Sequence, residues 1–443
     1  MDELVQDLKY SLRQLSRKPG FAAVLVLTLA LGVGANTAVF SVVHGVLLRP
    51  LPYPDPDRLV VVWTQFPSMD LNEFPASWPE YSEFRDQNNA FAEVGAWVGG
   101  ERTITGGDGA ERLAVTSFTS TMWDVLGVEP RLGRVFTAEE DAAGRDDVVV
   151  LSHGLWQRRF GSDPGVVGQT IELDGRTTVV LGVMPESFEF EVNAEGEAWQ
   201  PMGIDPADPP GRSNHFASIA GRLRDGVTFE RAQDDLRAIL TRWEGDESIG
   251  HTWRGPGHPA FLRPLHQQLV GDVEASLFIL LGAVGFVLLI ACANVANLLL
   301  VRGEGRQREM LIRASLGAGK KRIVRQLVTE SLVMALMGGA VGMVLALGGV
   351  KLLLAMAPDT LPRVDSVGLN GTVLGFSAAV ALIAGFLFGL APALQAARVD
   401  IQGALREEGR GGTASKRRFR FRQVLVISEM ALAVVLLIAA GLL

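Results

Sequence analysis

Lysine is missing from the middle half of this chain, and cysteine is almost missing from all of it. Residues 48–274 hold 37 Asp and Glu and 19 Arg, but no Lys. The single cysteine, Cys292, falls inside an apolar run. A domain formed by residues 48–274 therefore has no disulfide and must be held by its own apolar interior. At 227 residues it is long enough to bury one core, or two smaller ones.

Catalytic signatures are absent as well. There is no G-x-S-x-G, H-E-x-x-H or C-x-x-C. Gly319-Lys320 invites a phosphate-loop reading, but Ala314 stands where the first glycine is needed and Lys321 where Ser or Thr must bind magnesium. The six histidines are scattered, and His251 and His258 share a loop without carboxylate or thiolate company. Glu139-Glu140 and Asp234-Asp235 lie in polar stretches and read as solvated faces. The sequence thus assigns no catalytic, cofactor-binding or metal-binding residue. If ATP is used, a partner subunit binds it.

What is present is a series of long apolar runs. The first, Phe21–Leu48, contains no Asp, Glu, Lys or Arg, and three more follow the polar middle at 275–301, 327–357 and 372–395. About 20 apolar residues cross a bilayer core as a helix, so each is long enough. Phe21–Leu48 is about twice the length of a signal-peptide core and lacks a small-x-small cleavage site, so it is an anchor. A fifth run, 424–443, has the character of the start of a further transmembrane helix. The expected class is an α-helical membrane protein: four complete spans and the start of a fifth, with a mixed α+β extracytoplasmic domain, 49–274, inserted between the first two.

Charge orients this arrangement. Segments 1–20, 302–326 and 396–422 together carry 20 Lys and Arg against 8 acids. Basic loops remain in the cytoplasm. These three segments accordingly face inward as an N-terminal helix, a loop and a linker, and 49–274 faces outward. Counting crossings gives the same result.

Within 1–20, Val5, Leu8, Leu12 and Leu15 recur at helical spacing among Lys9, Arg13, Arg17 and Lys18, the pattern of an amphipathic helix on the inner membrane surface. Pro19-Gly20 ends it. In the insert, Leu59–Thr64, Asp147–Leu151, Thr170–Leu173 and Thr177–Val183 read as strands, with a hairpin turn at Asp174-Gly175. Pro79–Gln87, His153–Phe160 and Thr228–Leu240 read as helices, the last capped by Thr228.

The segment after the second span carries Arg302, Arg306, Arg308, Arg313, Lys320, Lys321, Arg322 and Arg325. Met310, Leu311, Ala314 and Leu316 form the apolar stripe of a short helix, which Gly317-Ala318-Gly319 ends. Another helix starts near Lys320. In or near the apolar runs lie Asn36, Asn294, Asn297 and Glu429. Such groups mark function by default, yet asparagine equally serves as hydrogen-bond glue between helices, the reading favoured here. Gly338–Gly342 and Gly385–Gly389 are small-x-x-x-small pairs that let helices approach.

The runs Ala293–Leu300, Arg308–Ala318 and Gln326–Glu330 resemble the FtsX-like permease domain of MacB-type ABC transporters. Leu126–Phe136 and Val149–His153 resemble the MacB-type periplasmic core domain, and Gly226–Leu240 resembles the helix that closes it. Asp7–Arg13 and Leu48–Tyr53 are most similar to duplicated permeases first noted in acidobacteria, whose second copy would begin near Arg420. The resemblance implies a permease that works with a cytoplasmic ABC ATPase gripping the loop at Arg308, Glu309, Arg313, Leu316, Gly317 and Ala318. It implies a second permease half, in the same chain or as a dimer, and movement of the outer domain driven by ATP, in the bacterial inner membrane. A periplasmic adaptor and outer-membrane channel are further partners it suggests, beside the membrane lipids; nucleic acid is not one. The competing reading is a membrane-anchored sensor, or a scaffold that binds a peptide or activates a cell-wall hydrolase. A passive sensor has no need of the basic inner loop, which favours the transporter.

Overall fold

The computed structural model describes residues 2–106, 109–188, 190, 196–205, 207–244, 259–305, 320–357, 361–397 and 414–442. The chain forms two units, Met1–Arg49 with Val273–Leu443, and Pro50–Asp272.

In chain order the elements begin with α1 (Asp2–Arg17) and α2 (Pro19–Val43), which continues into a π-helical turn at His44–Leu48. Pro19 occupies the start of α2, where its missing N–H has no partner to lose. The inserted unit follows with β1 (Leu59–Phe66), β2 (Leu71–Phe74), β3 (Ala76–Ser77), α3 (Trp78–Gln87), β4 (Phe91–Thr105), β5 (Glu111–Phe118), α4 (Met122–Leu126), β6 (Leu132–Gly133), β7 (Val148–Leu151) and α5 (His153–Phe160). It continues with β8 (Thr170–Leu173), β9 (Arg176–Val183), β10 (Ala198–Pro201), β11 (His215–Leu223), α6 (Phe229–Glu244) and β12 (Ala260–Pro264). The long helices α7 (Leu265–Gly305), α8 (Lys320–Met356), α9 (Gly371–Ala397) and α10 (Ala414–Leu442) complete the described chain.

Twelve strands make one mixed sheet in the order β12-β1-β11-β4-β5-β10-β7-β9-β6, with β2 on β1, β3 on β11, and β8 against β4 and β9. The pairs β5–β10 and β7–β9 are parallel. Strand β1 is buried on both faces. Leu59, Val61 and Trp63 enter one core with Trp97, Phe118, Trp123 and Trp199. Val60 and Val62 enter the other with Tyr81, Phe84, Leu236 and Trp243, under α3 and α6. This is the period-two alternation of a strand. A third cluster, around Val149, Leu151, Leu155 and Trp156, lies beneath α5.

Local chemistry sets the element ends. The carboxylate of Glu80 accepts the Ser77 N–H at 2.7 Å at the head of α3. Ser152 Oγ accepts the Leu155 N–H at the head of α5, and Gly161 closes that helix at φ 59°. Thr228 Oγ1 accepts the Arg231 N–H at 3.3 Å, the cap expected of it. Asp174 (φ 47°) and Gly175 (φ 76°) are both left-handed, as a two-residue hairpin turn between β8 and β9 demands. Arg222, buried on β11, donates to the carbonyls of Val125, Leu126 and Pro54. Burial of this guanidinium pushes its pKa below the ordinary value.

Several boundaries differ from the sequence reading. The helix that carries the first span begins at Pro19, ahead of the expected 21, and the helix that carries the second begins at Leu265, ahead of 275. Gln267, Gln268, Asp272 and Glu274 make that added stretch polar, which hides it from a hydropathy pattern but leaves it helical. The third helix begins at Lys320 and ends at Met356, so the basic segment assigned to 302–326 is helical at both ends. The fourth runs Gly371–Ala397. The stretch 396–422 is not all linker, because α10 starts at Ala414 and carries the apolar segment Val426–Ile438.

Candidate functional site in the membrane helices

Glycine determines how the spans meet. A Cβ on Gly34 of α2 would stand 2.8 Å from the Gly342 carbonyl oxygen of α8, and one on Gly338 would stand 2.7 Å from Leu29 Cβ. On the other flank of α8, a Cβ on Gly385 of α9 would lie 2.6 Å from Ala335 Cβ, and one on Gly389 would lie 2.7 Å from Ser331 Cβ. Both small-x-x-x-small pairs of the sequence therefore lie in helix contacts, and α8 is the central helix that α2 and α9 flank. Cα atoms brought this close gain dispersion contacts that a larger side chain would prevent.

The intramembrane polar residues fall into different settings. Asn36 is buried and donates from Nδ2 to the Val284 carbonyl at 2.8 Å, joining α2 to α7, and to Gly32 at 2.9 Å. It is glue. One residue on, Thr37 Oγ1 lies 3.0 Å from Ser377 Oγ and joins α2 to α9. Asn297 is partly buried, and its Oδ1 has no hydrogen-bond partner among the described residues. Asn294 and Glu429 are partly buried on α7 and α10, and neither makes a side-chain hydrogen bond among the described residues.

At the expected inner end, charges gather that the sequence alone did not connect. Arg302, near the end of α7, is half-buried and lies 3.6 Å from the buried carboxylate of Glu330 on α8. Its guanidinium also donates to Gln14 Oε1 of α1 at 3.1 Å and lies 4.6 Å from the centre of the Phe21 ring. Arg325 of α8 donates to Asp7 Oδ2 of α1 at 3.1 Å. Leu15 of α1 is buried with Leu25, Leu29, Val295 and Leu299. The amphipathic helix is thus docked to the helices on both sides of residues 306–319. The coupling positions Arg308, Glu309, Arg313, Leu316, Gly317 and Ala318, with the helix stop, lie outside the described residues.

The expected outer end is also tied. Ser41 Oγ donates to the Gly368 carbonyl at 2.9 Å, the Phe40 and Phe376 rings stack at 3.8 Å, and Arg363 reaches the last turn of the first span. In sequence the 358–371 stretch is a short connection of no evident chemistry, and the αL conformation of Arg363 has no sequence signature.

In the inserted unit a charge cluster lies at the head of α3. His215 Nε2 is 3.4 Å from Glu80 Oε2, Arg212 pairs with Glu83, and the Arg212 guanidinium lies 5.4 Å from the centre of the Trp243 ring. Burial alone would lower the His215 pKa, but the hydrogen bond and charge of Glu80 outweigh it, and the net shift is upward. Asp141 is pushed up by burial although it accepts backbone N–H groups from Ser120, Met202 and Gly203. Among the described residues no group of His, Cys, Asp and Glu is placed to hold a metal ion. His251 and His258 lie outside them.

Comparison with known families matches the geometry. Residues 22–239 match the MacB-like periplasmic core domain, and residues 281–401 match the FtsX-like permease C-terminal domain. The chain belongs to the MacB-like ABC transporter permeases. It is 28% identical over 289 residues to the macrolide export ATP-binding/permease protein MacB of Salmonella paratyphi A, covering 65% of this chain and 42% of that one. It is 27% identical over 288 residues to the probable syringafactin export ATP-binding/permease protein SyfD of Pseudomonas syringae pv. tomato, covering 64% and 40%. The chain thus spans about two fifths of the length of these relatives. Among solved structures, the periplasmic region of MacB from Actinobacillus actinomycetemcomitans aligns with TM-score 0.36 and 14% identity, over 52% of this chain and 95% of that one. As a MacB-like permease the chain is a multi-pass membrane protein with four helices able to cross a bilayer and an inserted extracytoplasmic domain.

Proposed function

We propose that this chain is the permease subunit of a MacB-like transporter. It would couple ATP hydrolysis by a separate ATPase to movement of its outer domain, for export or for transmission of force across the membrane. In this reading it lies in the bacterial inner membrane with its N-terminus and basic segments in the cytoplasm and residues 50–272 in the periplasm. The chain itself performs no bond chemistry, and ATP is bound by the partner.

What supports this reading is the combination of an inserted domain with a basic segment whose two flanking helices are both tied to α1. Arg302 precedes 306–319 and Arg325 follows it, and both bond to α1. Helices fixed on each side of a loop give a docked protein something firm to push. Arg308, Glu309, Arg313, Leu316, Gly317 and Ala318 are the positions assigned to ATPase contact. A loop that only held anionic lipid heads would need its charges alone.

The test is capture of the tagged full chain from native membranes with identification of what accompanies it. An ATPase with a phosphate loop, present with the wild type and lost with Gly317→Pro at equal membrane insertion, is the expected result. Capture that is indifferent to Gly317→Pro removes the loop from the docking surface. Capture of no ATPase at all removes the coupling function.

A further inference from the structure

The expected outer end of the first span has an arrangement that helix packing alone does not require. The α2 helix does not simply stop. It widens into a π-helical turn, His44–Leu48, closed by the Arg49 N–H on the His44 carbonyl at 2.8 Å. Single π turns are uncommon inside α-helices and concentrate where a helix must do more than span. Widening leaves late carbonyls without partners in the helix. Arg363, in the connection between α8 and α9, supplies them: its Nη1 donates to the Val46 carbonyl at 3.1 Å and to the Arg49 carbonyl at 2.7 Å. Arg363 is itself 3% exposed and left-handed at φ 58°. A non-glycine residue holds that conformation when its surroundings over-determine it.

Other contacts hold the same two segments together. Ser41 Oγ donates to the Gly368 carbonyl at 2.9 Å. Asn370 Nδ2 is 3.3 Å from His44 Nδ1. The backbone runs so close that a Cβ on Gly45 would lie 2.8 Å from Val367 Cα and 2.9 Å from the Ser366 carbonyl oxygen. The exit of the first span is therefore bound to the α8–α9 connection at Ser41, His44, Gly45, Val46 and Arg49. Arg49, held in this way, is followed directly in sequence by Pro50, where the inserted unit begins.

We propose that Arg363 is a positioning residue for transmission: it joins the α8–α9 pair to the end of the first span, so that displacement of α8 moves the segment leading into the outer domain. This rests on the coupling function proposed above. A guanidinium suits the task because one planar group reaches two carbonyls from a fixed direction. Glutamine in its place would keep the connection polar but lose the charge and the reach.

The experiment uses the full chain with its captured ATPase in lipid nanodiscs. Spin labels are placed at Asp208→Cys in the outer domain and Gly371→Cys at the start of α9, in a Cys292→Ala background, and label separation is read with and without trapped nucleotide. The wild type is expected to change separation on trapping. Arg363→Gln is expected to keep ATPase capture and turnover within about twofold, while losing more than two thirds of that change, and Arg363→Lys to recover at least half of it. Full displacement in Arg363→Gln, with capture intact, overturns the proposal and leaves the coupling function standing. A captured ATPase with no wild-type displacement overturns it as well. Absence of any captured ATPase removes the coupling function and this joint with it. Should Arg363→Gln not insert, Ser41→Ala decides: about half the displacement is expected, and the full displacement overturns the joint.

Discussion

His215 sits between a buried carboxylate and two aromatic rings, Phe66 and Phe74, with ring centres 5.1 and 5.8 Å away. Its raised pKa makes the outer domain's stability depend on pH in a definite direction. An unfolded histidine titrates at about 6.5. A group whose folded pKa is raised contributes stability fully below the unfolded value, and that contribution is lost as pH rises through the folded value. All eight tryptophans lie between residues 63 and 253, so tryptophan fluorescence reports the outer domain within the intact protein. We expect its unfolding midpoint to fall from pH 6 to pH 8, and His215→Gln to flatten that interval while lowering the midpoint at pH 6. A wild-type midpoint that rises over the interval would show that burial, not Glu80, governs the imidazole. Sequence pattern could not reach this pair, because residues 80 and 215 are joined only when β3 pairs with β11.

At the scale of elements, the membrane helices are set by glycine faces more than by polar bonds. Gly342 meets the Ala30 carbonyl oxygen at a built-Cβ distance of 2.8 Å, whereas Gly348, less than two turns further along α8, meets nothing within 4 Å. Forcing a large side chain into a packed contact costs about 1–3 kcal/mol. Gly342→Leu should therefore lower the detergent melting temperature or be cleared from the membrane, and Gly348→Leu should leave both unchanged. Equal behaviour of the two variants would mean that α2 and α8 do not meet at this face.

These contacts were legible in the sequence, since Gly338–Gly342 and Gly385–Gly389 stand out in apolar runs. So were the helices α3, α5 and α6, read at Pro79–Gln87, His153–Phe160 and Thr228–Leu240, the last with its cap at Thr228, and the β8–β9 hairpin, through Asp174-Gly175. Strands β4, β5 and β11 were not. In β4, Gly95, Gly99 and Gly100 interrupt the β-branched pattern; a Cβ on Gly95 would stand 2.7 Å from Met122 Cα, so the crossing of α4 imposes glycine where strand propensity argues against it. The polar start of α7 was missed for the opposite reason: Gln267, Gln268 and Asp272 belong to a helix that hydropathy registers only where it turns apolar. At the candidate site, the polar residues were legible but their partners were not. Glu330 appeared only within a family motif, and its pairing with Arg302 depends on how α7 and α8 pack.

For the molecule as a whole, the missing lysines and the clustered basic segments describe one asymmetry. With 37 acids, 19 arginines and no lysine in 48–274, and 20 basic residues against 8 acids in the three flanking segments, the chain has an acidic side and a basic side. The positive-inside rule converts that asymmetry into an orientation, and the proposed function depends on it, because an ATPase can dock only where ATP is. Exposed positions on each side make the orientation measurable. A membrane-impermeant maleimide should label Asp208→Cys in intact spheroplasts, and Lys18→Cys only after permeabilisation, both in a Cys292→Ala background. The reverse pattern would put residues 302–326 outside. No cytoplasmic ATPase could then reach Gly317, and loss of capture on Gly317→Pro would have to arise from damage to the fold rather than from a lost docking surface. Agreement of the labelling with the charge count makes the same substitution a test of docking alone.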